Sequence, residues 1–418
     1  MIEFDKFTLD NGLRVIVHQD LSNPIVAMNI LYQVGARDES PDKTGFAHLF
    51  EHLMFGGSVN IPSYDTPLEK AGGENNAFTN SDITNYYLTI PKENLETGFW
   101  LESDRMLNLA FTDKSLEVQR QVVIEEFKQS YLNQPYGDVW LLLKPLAYHT
   151  HPYQWNTIGK DISHIENAVM EDVKAFYNKY YHPNNAILVL AGNISLEEAK
   201  PLCEKWFANI TAGADIIRDI PVEPVQQEAR KLSVERDVPS DALYMAFHMC
   251  ERLHPEYQTA DLLSDILSNG PSSRLNRHLI KEQAIFAELD AYIGGDRDPG
   301  LFIFSGKPVD GISLEEAELA LWKEINKIKE SLVEDIELEK VKNKIESSMV
   351  FGEVSILNKA MSLAYHESLG DAEGVNHEIE KYRKVSSQDI LSLAQKIFIK
   401  ENSNTLYYHS KKKHHDIK

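Results

Sequence analysis

His48-Leu-Phe-Glu51-His52 places two imidazoles and a carboxylate within five residues. On a helix of about 3.6 residues per turn, positions i and i+4 lie about 40° apart around the axis. His48 and His52 can therefore grip one metal ion, and Glu51 projects from the same side as a candidate general base. The order is H-x-x-E-H, the reverse of the commoner H-E-x-x-H. The alternative is two core histidines hydrogen-bonded to backbone, beside a salt-bridged glutamate.

Two imidazoles do not complete a metal site. Structural zinc takes four protein ligands, whereas catalytic zinc takes three and keeps one position open. The candidate third ligand is Glu126, in Glu117-Val-Gln-Arg-Gln-Val-Val-Ile-Glu125-Glu126-Phe127. This segment predicts a helix begun near Asp113 or Ser115. Glu126 follows Val122 by four residues and Val123 by three, which sets it within the apolar stripe. A carboxylate on an apolar face needs a partner. Glu125 falls nearer the stripe's edge and is expected as a structural acid behind the ligands. A buried ion pair of Glu126 with Arg105 or Arg120 is the alternative.

The motif needs a helix to position it, and the flanking residues supply one. Gly45 to Phe55 is helix-tolerant after its glycine, with Thr44 or Asp42 available as N-cap and Gly56-Gly57 as a stop. Phe46, Leu49, Phe50, Leu53 and Met54 make nearly every other position apolar, so this helix is expected to be buried. Its polar side chains then require partners, and zinc would satisfy both histidines.

His48-x-x-Glu51-His52, followed after 73 intervening residues by Glu126 within Val-Val-Ile-Glu-Glu, resembles the pitrilysin/insulinase family. Chain length points to its short-subunit branch, which includes the mitochondrial processing peptidases. The likeness covers most of the chain. Phe7-Thr-Leu-Asp-Asn-Gly-Leu-Arg-Val is similar to the family's first strand pair, turned at Asn11-Gly12. Asn76-Ala-Phe-Thr79 with Thr84-x-Tyr86, His151-Pro-Tyr153, Tyr180-Tyr-x-Pro-Asn-Asn185 and Leu190-Ala-Gly-Asn193 resemble later landmarks. The resemblance implies one zinc ion held by His48, His52 and Glu126, with Glu51 as general base. It further implies that Asn76, Ala77, Phe78 and Thr79 contact an extended peptide substrate. One departure is Gln119, seven residues before Glu126, where the family commonly has a glutamate. An amide there still hydrogen-bonds but brings no negative charge to tune the metal.

At 418 residues the chain is long enough for two domains. Hydrophobic content of 43% describes a soluble globular protein. No run of about 18 apolar residues appears, so no membrane-spanning helix is expected. A net charge of -22 argues against nucleic acid, which needs clustered Lys and Arg. The basic run Lys411 to His415 is expected to be a solvated tail. Cys203 and Cys250 have no C-x-x-C spacing and are expected as reduced core thiols. The N-terminus has no basic segment followed by an apolar one. With the unpaired thiols this points to the cytoplasm, or to the periplasm if a leader has been removed.

From Asn209 to about Arg230 the chain is proline-marked and without periodicity, which predicts a linker. The expected division is a peptidase domain over 1–212, a linker over 213–230 and a metal-free domain over 231–418. Strands at Leu13–His18, Val26–Val34 and Asn85–Ile90 precede or alternate with helices at Asn94–Leu109, Ser115–Tyr131 and Glu171–Tyr180. The order recurs after the linker, with strands at Lys231–Glu235 and Ala242–His248. Helices follow at Pro255–Leu267, Leu314–Glu330 and Ile336–Met349. The fold class is therefore α+β, with two similar domains, each a mainly antiparallel sheet covered by helices as in the processing peptidases.

The second half carries no H-x-x-E-H. Relatives active as single chains place there an arginine and, seven residues on, a tyrosine that stabilise the developing oxyanion. The matching positions here are Ile280 and Ala287, which cannot donate such hydrogen bonds. Arg274, Arg277 and Tyr292 are the nearby substitutes. The resemblance thus implies a zinc endopeptidase acting on unfolded or presequence-like peptides. It further implies a homodimer, or a heterodimer with a related subunit that supplies the missing pair. The alternatives are a non-catalytic or partner-dependent subunit, and a metal enzyme acting on a non-peptide amide or thioether.

Overall fold

The computed structural model describes residues 1–295 and 297–411. Residues 412–415 of the basic run lie outside the described residues. Two compact units are present, one built from residues 1–129, 155–221 and 350–377, the other from 130–154, 222–349 and the described residues from 378 on.

The first unit is organised on a six-stranded sheet of β1 (Asp5–Thr8), β2 (Arg14–Gln19), β3 (Ile25–Tyr32), β4 (Glu74–Thr79), β5 (Thr84–Pro91) and β6 (Ala186–Gly192), in the order β1-β2-β6-β3-β5-β4. β3 and β6 are near-continuous apolar runs because both of their faces are covered, and almost every residue in them is buried. β4 lies at the sheet's edge and alternates exposed with half-buried residues. The Asn11-Gly12 turn forms as expected, with Gly12 at a φ of 86° between the antiparallel β1 and β2.

The second unit repeats the plan with β7 (Arg230–Arg236), β8 (Ala242–His248), β9 (Phe286–Gly294), β10 (Leu301–Pro308) and β11 (Ser403–Ser410), ordered β7-β11-β8-β10-β9. In each sheet one pair is parallel, β2 with β6 and β7 with β11, and the pairs that continue the sheet from there are antiparallel. The duplicated α+β unit expected from element order is thus present in the strand pairing.

The boundary at Pro221–Val222 falls inside the 213–230 stretch, which has no regular element until β7 begins at Arg230, but the units are not contiguous in sequence. The helix Ile356–Leu369 belongs to the first unit and packs Ile356, Ala360, Leu363 and Ala364 on Ile16, Ala27, Leu31, Ile187 and Val189. In return the helix Val139–Ala147 belongs to the second unit and packs on Ala242, Tyr244, Ala246, Leu406 and Tyr408. Each sheet has a second apolar face to cover, and burying side chains of this size is worth about 1.5–3 kcal/mol each. Local pattern shows that these helices are apolar on one side, not which sheet they cover.

Cys203 is buried, Cys250 half-buried, and neither is in a disulfide. Among the described residues no helix is long and apolar enough to cross a membrane.

Candidate metal centre

The motif folds into a helix over Phe46–Leu53, and Phe46, Leu49, Phe50, Leu53 and Met54 are buried as expected. Its start differs from expectation. Gly45 is the N-cap residue, at a φ of 90°, and no cap side chain bonds the first turn. A Cβ at Gly45 would stand 2.8 Å from the Ile158 carbonyl oxygen, so the close approach also demands glycine. Thr44 is turned to other work, contacting His164 and accepting the Lys160 N–H. The free amides of the first turn are met instead by Glu39. Its carboxylate accepts N–H bonds from Gly45 at 2.9 Å and Ala47 at 2.8 Å.

Glu126 comes from the helix Asp113–Phe127, which begins at a Thr112 cap bonded reciprocally with Ser115. Its apolar stripe is Leu116, Val123, Ile124 and Phe127. Val122 is 44% exposed, so Glu126 flanks the stripe instead of sitting within it, with its side chain 41% exposed. Neither proposed ion-pair partner reaches it. Arg105 is paired with Glu102, and Arg120 with Glu117 and the carbonyls of Ile165, Glu166 and Ala168. Glu125, expected behind the ligands, is exposed and bonds Lys128 at 2.9 Å. Gln119 is half-buried on the same helix.

Nε2 of His48 lies 3.6 Å and Nε2 of His52 lies 3.5 Å from the same Glu126 oxygen, Oε2. One ligand atom from each of the three residues lies within 4.8 Å of the others, and this is the one such group among the described residues. Burial pushes the His48 imidazole down to about 4, with Glu126 opposing and His52 adding to the fall. The adjoining His52 imidazole holds the Glu126 carboxyl below its usual range, against partial burial.

The donor set fits zinc. The contacts to Glu126 are too long for good hydrogen bonds, whose N···O distance is about 2.7–3.2 Å. They are close to the edge of a tetrahedron with metal–ligand bonds of about 2.0–2.1 Å, roughly 3.4 Å. Two imidazole nitrogens and a carboxylate oxygen gathered this closely can be shared by one divalent cation. The second ring nitrogen of His48, Nδ1, is buried without a hydrogen-bond partner among the described residues.

Glu51 is half-buried on the same helix. Burial raises its carboxyl above the usual range, while the neighbouring Thr79 opposes the shift. Thr79 closes β4, so the strand carrying Asn76, Ala77 and Phe78 ends beside Glu51. The Ala77 N–H donates to Oδ1 of Asn76 at 2.8 Å, and Phe78 is 39% exposed.

In the second unit Ile280 packs against the core and Ala287 lies exposed on β9. Arg274 is paired with Glu337, Arg277 contacts His278, and Tyr292 is exposed on β9. His151, of the His-Pro-Tyr landmark, is buried, contacts Asp298 at 3.2 Å and accepts the Tyr153 N–H. Sequence reasoning missed Glu39. Its only signal was an acid a few residues upstream of a glycine-initiated helix, which no capping pattern distinguishes.

A duplicated sheet-and-helix unit, with H-x-x-E-H and a distant glutamate in one copy only, defines an inverted-motif zinc peptidase class. The chain belongs to the insulinase family, peptidase family M16. Residues 14–154 match the profile described as Insulinase (Peptidase family M16), and residues 167–345 match that of the Peptidase M16 inactive domain. The zinc protease PqqE of Helicobacter pylori is 26% identical over 409 residues, covering 96% of this chain and 92% of the relative. A probable mitochondrial-processing peptidase subunit beta of Arabidopsis thaliana is 23% identical over 362 residues, 82% of this chain and 66% of the relative. The crystal structure of a protease from Helicobacter pylori superimposes with a TM-score of 0.91 at 26% identity, over 98% of this chain and all of that one.

Proposed function

We propose that the chain is a zinc-dependent endopeptidase holding one zinc ion through His48, His52 and Glu126. The observation that carries this reading is the convergence of those three side chains, from two separate helices, within 4.8 Å. Relatives named as zinc proteases support the metal and the reaction class. Zinc, when bound, supplies Lewis acidity that polarises a substrate carbonyl and acidifies water.

The chain's own residues do the rest. Glu51 accepts a proton from the attacking water, whose oxygen bonds to the carbonyl carbon. It returns that proton to the nitrogen as the C–N bond breaks. Burial suits the carboxyl to both halves of this transfer, because it brings its proton affinity nearer to neutral pH. β4 offers an open edge to an extended chain, so unfolded or presequence-like peptides bind by backbone hydrogen bonds that do not read sequence.

Partner dependence is the second reading. Ile280 and Ala287 cannot donate to an oxyanion, and one relative is named as a subunit. A related subunit, in a homodimer or heterodimer, would then supply the arginine and tyrosine. The test is zinc-loaded protein on a quenched peptide of about ten residues, with Glu51→Gln as control. The variant is expected to retain zinc and lose about 10²–10⁴-fold in rate. Turnover by wild type alone supports a self-sufficient peptidase. Silence despite bound zinc favours the partner-dependent subunit, and equal rates for wild type and Glu51→Gln overturn the assignment.

A further inference from the structure

The motif helix has no cap of its own, yet its histidines must be held in a fixed pose. Glu39 supplies the missing contact from outside the helix. Its carboxylate is buried (6% exposed) and takes the N–H groups of Gly45 and Ala47, one on each oxygen. Ala47 immediately precedes His48, so this grip limits both sliding and rotation of the helix.

The turn that carries Glu39 is itself fastened to the β4–β5 hairpin. The amides of Ala36 and Arg37 donate to the carbonyls of Asn80 at 3.1 Å and Ser81 at 2.9 Å. Arg37 and Asp82, both buried, form an ion pair at 3.2 Å. A Cβ on Gly35 would stand 2.5 Å from backbone atoms of Ser81 and Asp82, so only glycine permits this approach. The Trp155 indole and the Tyr180 hydroxyl hold the same turn through the carbonyls of Ala36 and Asp38. The hairpin then returns to the motif helix, against which β4 packs. A closed ring of contacts therefore joins the start of the helix, the turn, the hairpin and the helix again.

We propose that Glu39 is the positioning residue of the metal group, replacing an N-cap and setting the motif helix against the β4–β5 hairpin. This inference rests on the zinc assignment above. Its consequence is that Glu39 acts on metal affinity and turnover through His48, His52 and Glu51, without touching metal or substrate. Supporting contacts of this kind change metal affinity by about 10–100-fold when removed.

The test measures zinc affinity by chelator competition in the full chain for wild type, Glu39→Ala, Glu39→Gln and Leu363→Ala. Leu363 lies in the core of the same unit, on the helix Ile356–Leu369, and serves as a control for general destabilisation. Glu39→Ala is expected to weaken zinc binding at least tenfold and to lower kcat more than it raises KM. Glu39→Gln, which keeps one acceptor oxygen, should fall between Glu39→Ala and wild type, and it carries the test if the alanine variant does not fold. Leu363→Ala should lower the melting temperature and leave zinc affinity unchanged. If Leu363→Ala weakens zinc as much as Glu39→Ala, or if both Glu39 variants bind zinc as wild type does, the proposal is overturned. If wild type itself binds no zinc, the zinc assignment fails and this inference with it.

Discussion

Nε2 of His52 and Oε2 of Glu126 stand 3.5 Å apart although 73 residues lie between them, and each comes from a different helix. A site divided in this way depends on helix packing as much as on ligand identity. Glu126→Gln keeps the shape of the side chain and removes its charge. Zinc affinity should fall by about 100-fold or more, as judged by chelator competition, because a lost ligand costs at least what a lost supporting contact does. Zinc at 1,000 times its Kd stabilises the folded state by about 4 kcal/mol. Wild type should therefore melt lower after chelation, and Glu126→Gln should show little of that zinc-dependent increment. An unchanged increment would remove Glu126 from the ligand set.

Ala77 offers an amide at the β4 edge that donates to the neighbouring Asn76 side chain. A strand added at that edge would take over this donor. Ala77→Pro removes the N–H, and edge strands tolerate proline. One hydrogen bond is worth about 1 kcal/mol, so KM should rise about fivefold while zinc content stays unchanged. A constant KM would place the substrate elsewhere.

Arg105 is fully buried, paired with Glu102 through bonds of 2.8 and 2.7 Å, with its guanidinium over the rings of Tyr64 and Tyr86. Burial works against its charge, but Glu102 together with Tyr64, Tyr32 and Tyr86 more than offsets that effect, and the guanidinium pKa is raised. Arg105→Ala leaves the Glu102 carboxylate buried with the Tyr64 hydroxyl as its remaining donor. Removing one partner of a buried pair costs about 3–5 kcal/mol. A urea unfolding curve should show that loss in the first unit, and a change below about 1 kcal/mol would contradict the burial argument.

Asp261 and Asp265 lie four residues apart on the helix Tyr257–Ser268 of the second unit. Burial raises both carboxyls above the usual range, with the Tyr382 hydroxyl opposing the shift at Asp261 and Asn269 opposing it at Asp265. Their folded pKa values exceed the unfolded value of about 3.9, so the folded state binds more protons in between. Their contribution is fully present below the unfolded pKa and is lost as pH rises through the folded values. Urea midpoints measured from about pH 4 to 7 should therefore decline less steeply for Asp261→Asn than for wild type. Parallel profiles would show that these acids do not govern the slope.

The motif helix, the 113–127 helix and most strands were legible because each follows from a local period of 2 or 3.6 residues. His48, Glu51 and His52 share a helix, so their relation is a matter of spacing. Glu126 was harder. Its distance from Val123 was right, but Val122 faces solvent, and only packing shows that the carboxylate flanks the stripe. Glu125 shows the limit of the same reasoning, since one residue's rotation sends it to solvent and Lys128.

Tertiary structure alone decided the cap and the exchange of helices. Glu39 caps a helix that begins seven residues later because the turn around it is pinned to the β4–β5 hairpin, a relation without local period. The helices Val139–Ala147 and Ile356–Leu369 each cover the sheet of the other half of the chain. Spacing along the chain specifies which side chains can face one way. Which distant surface they meet depends on burying two apolar sheet faces at once, and that is a property of the whole chain.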